Sequence, residues 1–367
     1  MPSMSIAMSL RGQLVSSTKF SPLSLFSGGV VGVWFDPSDI TTLFQDTAGT
    51  IPVTATGQSV ALMLDKSGNA KHATQATLAQ RPTSGVIPYG GVRNILIATD
   101  TLSTQSVTVA AIAQTLSFTG TGTITLSGVF TGSLVGTGAS NQVSLTFTPT
   151  AGSLTLTVTG SVTFAQLEKG SSVTAYQKVT TKYNVTEVGK NSVGVLFADG
   201  VDDCMTTASL SFTATDKVTV WSSVQKMGDA AVGIIFELGV YSGAGTFGLS
   251  APGFTAATYR FGSAGTSFAS AETTGIYVAP HVAILTGVGN ISGDISSISV
   301  NNTTPTTLTS DQGTGNYGNF PIYLFRRGAT SLPFNGIFAG LVIRGSVSTS
   351  QQIYDGNTYL NNILGAY

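Results

Sequence analysis

The sequence predicts an all-β protein made of two β-sandwiches, one inserted into the other. From residue 101 to residue 167 the chain has no Asp, Glu, Lys, Arg or His, and apolar residues alternate there with Thr and Ser. Alternation with a period of two is typical of strands that place one face in a core and the other in solvent. The residues on both sides read as further short strands joined by Gly-rich turns. We therefore expect them to be two halves of one other domain.

The composition limits the class of protein. The chain has 367 residues, of which 42% are hydrophobic and only 9% are charged. Globular proteins usually carry roughly 25% charged residues. A surface so poor in charge must be covered by Thr, Ser, Asn, Gln and backbone groups. Such surfaces suit extracellular, viral or packed-assembly proteins.

Several functional classes are not expected. The net charge is −1 and the largest basic cluster is the pair Arg326 and Arg327, so nucleic-acid binding is not predicted. The single Cys204 excludes an internal disulfide framework and a cysteine-based zinc site. Residues 1–29 lack a signal-peptide pattern, and no window approaches the ~18 apolar residues of a membrane span. We expect a protein made in a cytoplasm, without membrane insertion.

The elements before the charge-free stretch follow from local patterns. Residues 1–27 are polar and Ser-rich, which suggests an arm or an anchoring segment. Residues 30–35 and 60–64 are apolar and predict two short buried strands. A turn with helix-capping chemistry at residues 36–39 predicts a short helix over residues 40–46.

The charge-free stretch predicts a small β-sandwich. Residues 123–127, 143–148 and 154–159 each alternate strictly, and residues 149–152 read as a hairpin-like connection between two of them. About 85 residues of such strands are enough for a small sandwich.

The second half of the chain predicts more strands and one helix. The best strand candidates are residues 217–224, 232–240, 278–285, 322–325 and 336–343. The chain ends in a predicted helix that Ser348 would cap, with apolar residues at helical spacing.

The first block of motifs resembles a known family. Residues 32–39 (GVWFDPSD), 43–46 (LFQD), 62–69 (LMLDKSGN), 72–75 (HATQ) and 81–82 (RP) closely resemble the opening of concanavalin A-like, or laminin G-like, domains in tailed-bacteriophage structural proteins. Residues 197–203 (FADGVDD) look like the next strand and turn of that domain. Residues 334–340 (FNGIFAG) and the terminal helix are similar to its end.

The family pattern has Phe directly before the Asp of the second block, whereas this chain has Ala198 before Asp199. The aromatic residue, Phe197, is one position earlier and should lie on the opposite face of its strand. We expect a local adjustment there and an intact fold.

A second resemblance covers the inserted segment. Residues 93–96, 165–171 and 174–176 look like a carbohydrate-binding-module-like sandwich found in the same phage proteins. Together the resemblances imply a concanavalin A-like jelly-roll sandwich split by an inserted smaller β-sandwich, with a short C-terminal helix. The expected division is an arm at residues 1–27, a jelly roll at 28–90 plus 181–367, and the insertion at 91–180.

Two sets of residues are candidate binding sites. Aromatic rings in or beside Gly-rich loops can stack on sugars, and the candidates are Tyr241, Tyr259, Tyr317 and Phe320. The alternative is that they cover the sandwich edge or contact a neighbouring subunit. Asp199, Asp202 and Asp203 offer clustered carboxylates of the kind that calcium prefers. The alternative there is a polar turn whose carboxylates accept backbone N–H groups. No other cofactor is predicted.

Catalysis is not expected. Two Gly-x-Gly-x-x-Gly strings occur, but a proline and strand-like sequence follow each one where a phosphate-binding loop needs a helix. Paired carboxylates for glycoside cleavage would most plausibly involve Glu237 or Glu272, yet nothing in the sequence couples them.

The predicted function is that of a bacteriophage virion structural protein, an exposed fibre, spike or decoration component that binds host-surface glycans. The alternative is a purely structural head or tail protein that packs against other virion proteins. A polysaccharide-degrading enzyme is the third, less favoured hypothesis. Other virion proteins and further copies of the same chain are the expected partners.

Overall fold

The computed structural model describes residues 20–240 and 242–367. The fold is all-β, a concanavalin A-like jelly-roll sandwich split by a smaller β-sandwich and ending in a short helix. This confirms the predicted fold class.

Twenty-eight strands and one α-helix occupy the described residues. Before the charge-free stretch lie β1 (Gly32–Phe35), β2 (Leu43–Phe44), β3 (Leu62–Met63), β4 (Ala73–Thr74) and β5 (Thr83–Pro88). Within and just after it lie β6 (Gln105–Val109), β7 (Gln114–Gly120), β8 (Thr123–Gly128), β9 (Gly132–Val135), β10 (Gly138–Phe147), β11 (Gly152–Thr159) and β12 (Val162–Lys169). The rest are β13 (Gln177–Thr181), β14 (Asn184–Glu187), β15 (Ser192–Asp199), β16 (Met205–Thr207), β17 (Leu210–Ser211), β18 (Lys217–Lys226), β19 (Ile234–Leu238), β20 (Phe247–Ser250), β21 (Arg260–Ala264), β22 (Phe268–Glu272), β23 (His281–Asn290), β24 (Ile295–Val300), β25 (Thr306–Leu308), β26 (Asn319–Phe320), β27 (Ile322–Leu324), β28 (Asn335–Arg344) and α1 (Ser350–Leu364).

The large sandwich has a ten-stranded and a nine-stranded sheet. The first runs β13-β14-β5-β15-β28-β18-β23-β24-β25, with β1 also paired to β28. The second runs β2-β3-β4-β16-β27-β19-β20-β21-β22. The main core, with Phe35, Phe236, Phe261 and Phe338 among its fully buried side chains, lies between them. Strands from both ends of the chain alternate in these sheets, which explains why the flanking segments read as halves of one unit.

The small sandwich contains only strands β6 to β12. Its sheets are β10-β7-β12 and β6-β11-β8-β9. Leu154 and Leu156 are fully buried in its core, whereas Thr157 between Leu156 and Val158 is exposed, as the alternation predicts. In β8 and β11 every second residue is Thr or Ser, so hydroxyl groups cover much of the outer face of that sheet.

The division into domains stays a prediction, but the pairing refines where the chain changes sheets. Strand β13 (Gln177–Thr181) belongs to the large sheet, although most of it lies within the segment assigned to the insertion. Side-chain contacts also tie the connecting segments together. Arg93 forms a 3.0 Å ion pair with Glu187, and the Gln177 carboxamide accepts the Arg93 N–H at 2.7 Å.

Helix α1 covers the outer face of the ten-stranded sheet. Leu360 and Leu364 are buried there in the same cluster as Trp221. The predicted cap, Ser348, is wrong by one residue, because Thr349 forms the capping box with Gln352. The Ser348 hydroxyl instead accepts a hydrogen bond from Arg344 at 3.0 Å.

Two other local predictions change. The helix expected over residues 40–46 is one 3-10 turn, Ile40–Thr42, because Leu43 and Phe44 pair as β2 with β3. The last part of the predicted arm forms a 3-10 turn, Pro22–Phe26. Its Leu25 and Phe26 belong to the same buried cluster as Trp221, on the outer face of the ten-stranded sheet. Residues 1–19 lie outside the described residues.

Candidate binding site

A cleft opens where the chain passes from the large sandwich into the small one. Its volume is about 200 Å³. Its floor is the outer face of the ten-stranded sheet, with Phe197 and Ile337, and its other wall is the connecting segment that contains Asn94. Tyr183 and Val185 also line it. Pockets of this kind, mostly apolar with a few polar groups, are typical of ligand sites between domains.

Phe197 lies in this cleft because it precedes Ala198 by one position and so faces the other side of β15. Ala198 is buried in the main core, and Phe197 packs half-buried on the opposite face of β15. This confirms the expected change of face. The ring of Tyr183 packs edge-on against Phe197, with centroids 5.3 Å apart, and the ammonium group of Lys182 lies 4.9 Å from the Tyr183 centroid.

The predicted acidic turn lies at the mouth of the cleft. Asp199 and Asp203 line it, and one carboxylate oxygen from each of Asp199, Asp202 and Asp203 lies within 4.8 Å of the others. Asp199 Oδ1 accepts the backbone N–H of Val201 at 2.8 Å, and Asp203 Oδ2 accepts that of Asp199 at 2.9 Å. These hydrogen bonds are the ones that the polar-turn interpretation predicts.

The carboxyl group of Asp203 has a raised pKa. Its pKa is raised from 3.8 to about 7, mainly by burial, and the negative charges of Asp199 and Asp202 contribute to the rise. The backbone N–H of Asp199 and the charge of Lys182 oppose the rise. The cleft therefore holds a carboxyl group that exchanges its proton near neutral pH.

Two of the predicted sugar-stacking residues lie in the core. Tyr259 is 0% exposed and Tyr317 is 1% exposed. Their hydroxyl groups are satisfied inside the protein, Tyr259 by Nδ1 of His281 at 2.8 Å and Tyr317 by Ser263 at 2.7 Å. Because neither ring face is open to a ligand, the stacking role predicted for these two residues is wrong.

For Tyr241 and Phe320, the stacking role stays a prediction. Phe320 is half-buried and packs against the main core. Tyr241 lies outside the described residues. The two Gly-rich loops bind each other, since the N–H of Gly318 donates to the carbonyl of Gly245 at 2.8 Å.

The residues considered for catalysis are engaged in structural contacts. Glu237 is fully buried and accepts the N–H of Gly328 at 2.6 Å. Glu272 accepts the N–H of Thr255 at 2.7 Å and the hydroxyl of Thr258. The two carboxylates stand on β19 and β22, which are separated by two strands.

Cys204 and His72 also form structural hydrogen bonds. The Sγ atom of buried Cys204 accepts a 2.9 Å hydrogen bond from Gln75, and burial raises the pKa of the thiol. Nδ1 of His72 accepts the backbone N–H of Asp65 at 3.0 Å.

The comparisons with known proteins found distant structural likenesses. No family model and no curated protein matches the chain. A sialidase carbohydrate-binding module of Ruminococcus gnavus, bound to α2,3 sialyllactose, is 12% identical with a TM-score of 0.31, over 40% of this chain and 94% of that one. A heptameric pentraxin of Limulus polyphemus is 12% identical with a TM-score of 0.35, over 43% and 78%. The receptor-binding domain of botulinum neurotoxin type G is 10% identical with a TM-score of 0.35, over 45% and 42%.

Within the described residues, the only α-helix, α1, is shorter than a membrane-crossing helix needs to be.

Proposed function

We propose that the protein is a binding component of a tailed-bacteriophage virion, an exposed fibre, spike or decoration part, and that it binds a host-surface glycan in the cleft. The observation that carries the binding role is the composition of the cleft. It joins an aromatic wall, Phe197 and Tyr183, to polar groups at its rim, among them Asp199 and Asn335. Sugars need this combination, because their C–H faces pack on rings while their hydroxyls bind carboxylates and amides.

The virion assignment rests on the resemblance of the first block of motifs to phage structural proteins. The low fraction of charged residues, 9%, supports it, because such a surface loses little when it packs against neighbouring subunits. A binding role is preferred to a catalytic one because Glu237, Glu272, His72 and Cys204 each serve a structural hydrogen bond.

A glycan-array assay on the purified protein tests the proposal, with Tyr183→Ala and Asn335→Ala as cleft variants. Both residues lie at the rim, where substitution should leave the core intact. The control is a Tyr241→Ala/Phe320→Ala variant, which alters the loops that the sequence pointed to. We expect saturable binding that the cleft variants lose and the control keeps.

Binding lost only in the control would move the site to the loops. No binding by folded protein would contradict the glycan proposal and favour the alternative, a purely structural head or tail protein.

Calcium is the cation that we propose for the acidic turn, since three carboxylates meet there. A calcium titration followed by thermal unfolding tests it. A bound ion should raise Tm for the natural protein and leave Asp202→Asn unchanged. Equal Tm with calcium and with a chelator would leave the polar-turn interpretation in place.

A further inference from the structure

The small sandwich has four sheet edges, and its structure protects them unequally. The outer edge of β12 is covered by the segment that enters the sandwich. The N–H of Ile95 donates to Leu167, that of Ala165 to Thr99, and that of Leu102 to Val162, at 2.9–3.1 Å. The edge strand β6 is also held, because the Gln105 carboxamide exchanges two hydrogen bonds with the backbone of Ile97, at 3.0 and 3.1 Å.

Strand β10 is the long edge that is left open. Of its ten residues, Gly138 and residues 142–147 pair with β7, and none of the ten pairs with another described strand. Among the described residues, the backbone groups of 142–147 make no hydrogen bond beyond the ladder with β7. Proteins usually blunt such an edge with a charged residue, a proline or a bulge. A bulge lies between Gly138 and Gln142, but the remaining residues of β10 contain neither charge nor proline.

The core is also incomplete beside this edge. In the central strand β7, Leu116 and Phe118 are fully buried. Their neighbours on β10, Val143 and Leu145, are only half-buried at the same core. On the nearby edge strand β9, Leu134 is half-buried and Val135 is 58% exposed. An additional strand beside β10 would bury apolar surface that the isolated chain leaves in water.

We infer that a second copy of this chain supplies that strand, with two β10 strands pairing antiparallel about a two-fold axis at Ser144. In this register Ser144 faces the partner's Ser144, and Val143 faces the partner's Leu145. Two copies of one strand that pair about such an axis place odd-numbered residues opposite odd-numbered ones and even opposite even. Because opposed residues point to the same side of a sheet, the apolar side chains of both copies stay on one face. The two three-stranded sheets become one sheet of six strands.

The edge of β10 complements itself in this register, as an isologous interface between two copies requires. The facing positions are Gln142 with the partner's Thr146, Ser144 with the partner's Ser144, and Val143 with the partner's Leu145. No charge is brought into contact anywhere along this register, and both apolar positions gain cover.

Cysteine trapping tests this pairing even if the isolated contact is weak. Directly opposed residues of an antiparallel pair have Cα atoms roughly 4.5–5.5 Å apart, which is within disulfide range. We expect Ser144→Cys to form a covalent dimer on mild oxidation. The matched control is Thr108→Cys, an exposed position on the other edge strand, β6, which should stay monomeric. Buried Cys204 is common to both proteins.

Sedimentation of the natural full chain and of Ser144→Lys gives a second measurement. Two lysines facing each other across the axis should shift the dimer toward monomer while the unfolding temperature stays close to normal. A natural protein that is monomeric at all concentrations and a Ser144→Cys variant that does not crosslink would overturn the inference. So would a dimer that Ser144→Lys leaves intact. Neither experiment uses glycan, so their outcome is separate from that of the proposed function.

Discussion

The main-chain N–H of Trp34 donates a 2.9 Å hydrogen bond to Oδ1 of Asp65, 31 residues further along the chain. The same carboxylate accepts the N–H of Ser67 at 2.9 Å and that of Lys71 at 3.0 Å. One buried side chain thus fixes strand β1 against the turn that follows β3. The sequence block that resembles phage proteins is therefore a structural junction in this molecule.

Replacing Asp65 with Ala should destabilise the protein by about 3 kcal/mol or more, because several backbone N–H groups lose their acceptor in a buried place. Chemical denaturation measures the change. Asp46→Ala is the matched control. Asp46 accepts the N–H groups of Thr50 and Ile51, but at an exposed turn where water can replace the carboxylate. The free energy of unfolding should therefore fall clearly less in Asp46→Ala than in Asp65→Ala. Equal losses would mean that Asp65 has no special role.

A second prediction concerns the buried ion pair between Lys226 and Asp229, whose charged atoms are 2.5 Å apart. The side chain of Lys226 is 0% exposed, and its ammonium group lies 5.0 Å from the centroid of Tyr259. Asp229→Asn keeps the acceptor for the N–H of Ala279 but removes the counter-charge. We expect a loss of about 3–5 kcal/mol at neutral pH.

Asp100→Asn is the control for this pair, because Asp100 pairs with Lys178 where both side chains are about half exposed. Exposed pairs contribute about 0–1 kcal/mol. Adding Lys226→Met to Asp229→Asn should recover most of the lost stability. A double variant no more stable than Asp229→Asn would show that the unpaired charge is not the cause.

Asp203 should make stability depend on pH in the direction opposite to most carboxylates. Its pKa is raised to about 7 from an ordinary value of 3.8, so the folded state holds the proton more tightly than the unfolded chain does. The contribution of Asp203 to the free energy of unfolding is then fully present below pH 3.8 and is lost as the pH rises through 7. Asp203→Asn, which stays neutral, should be more stable than the natural protein at pH 8, by up to about 4 kcal/mol.

Unfolding of both proteins at pH 4 and pH 8 checks this prediction. The difference should vanish at pH 4, where the natural carboxyl group is also neutral. An advantage that is the same at both pH values would assign the effect to something other than titration of Asp203.

Gly356 in helix α1 gives a prediction in which packing opposes helix propensity. Alanine normally stabilises a helix interior by about 1 kcal/mol relative to glycine. Here a Cβ atom would lie 2.7 Å from Nε1 and 2.9 Å from Cε2 of buried Trp221. Gly356→Ala should therefore lower Tm, whereas Gln351→Ala on the exposed side of the helix should not. A higher Tm for Gly356→Ala would show that the helix shifts freely on the sheet.

The sequence predicted strands β8, β10 and β11 of the small sandwich well because each has one face in solvent. Leu154 and Leu156 alternate with Thr155 and Thr157, and that alternation is visible without any knowledge of the fold. In the large sandwich, residues 217–224 still predicted a strand, although β18 is buried almost throughout and shows no alternation of exposure. The prediction of a short helix over residues 40–46 was wrong, because the pairing of Leu43 with Met63 outweighs local capping.

The candidate site was predicted only in part. The acidic turn is local in sequence, and its clustering was foreseen. The cleft depends on segments that meet only in the folded chain, such as Asn94 beside Phe197. The burial of Tyr259 and Tyr317 was missed because their hydroxyl partners, His281 and Ser263, are distant in sequence. A tyrosine near glycines looks exposed until those partners are known.

The chain enters the small sandwich after β5 and returns at β13, so two segments run between the bodies. A protease that cuts either segment once would leave the sandwich covalently attached through the other. The Arg93–Glu187 ion pair and the Ile95–Leu167 hydrogen bond would still hold the severed segment in place. Release of the small sandwich by proteolysis therefore takes two cleavages.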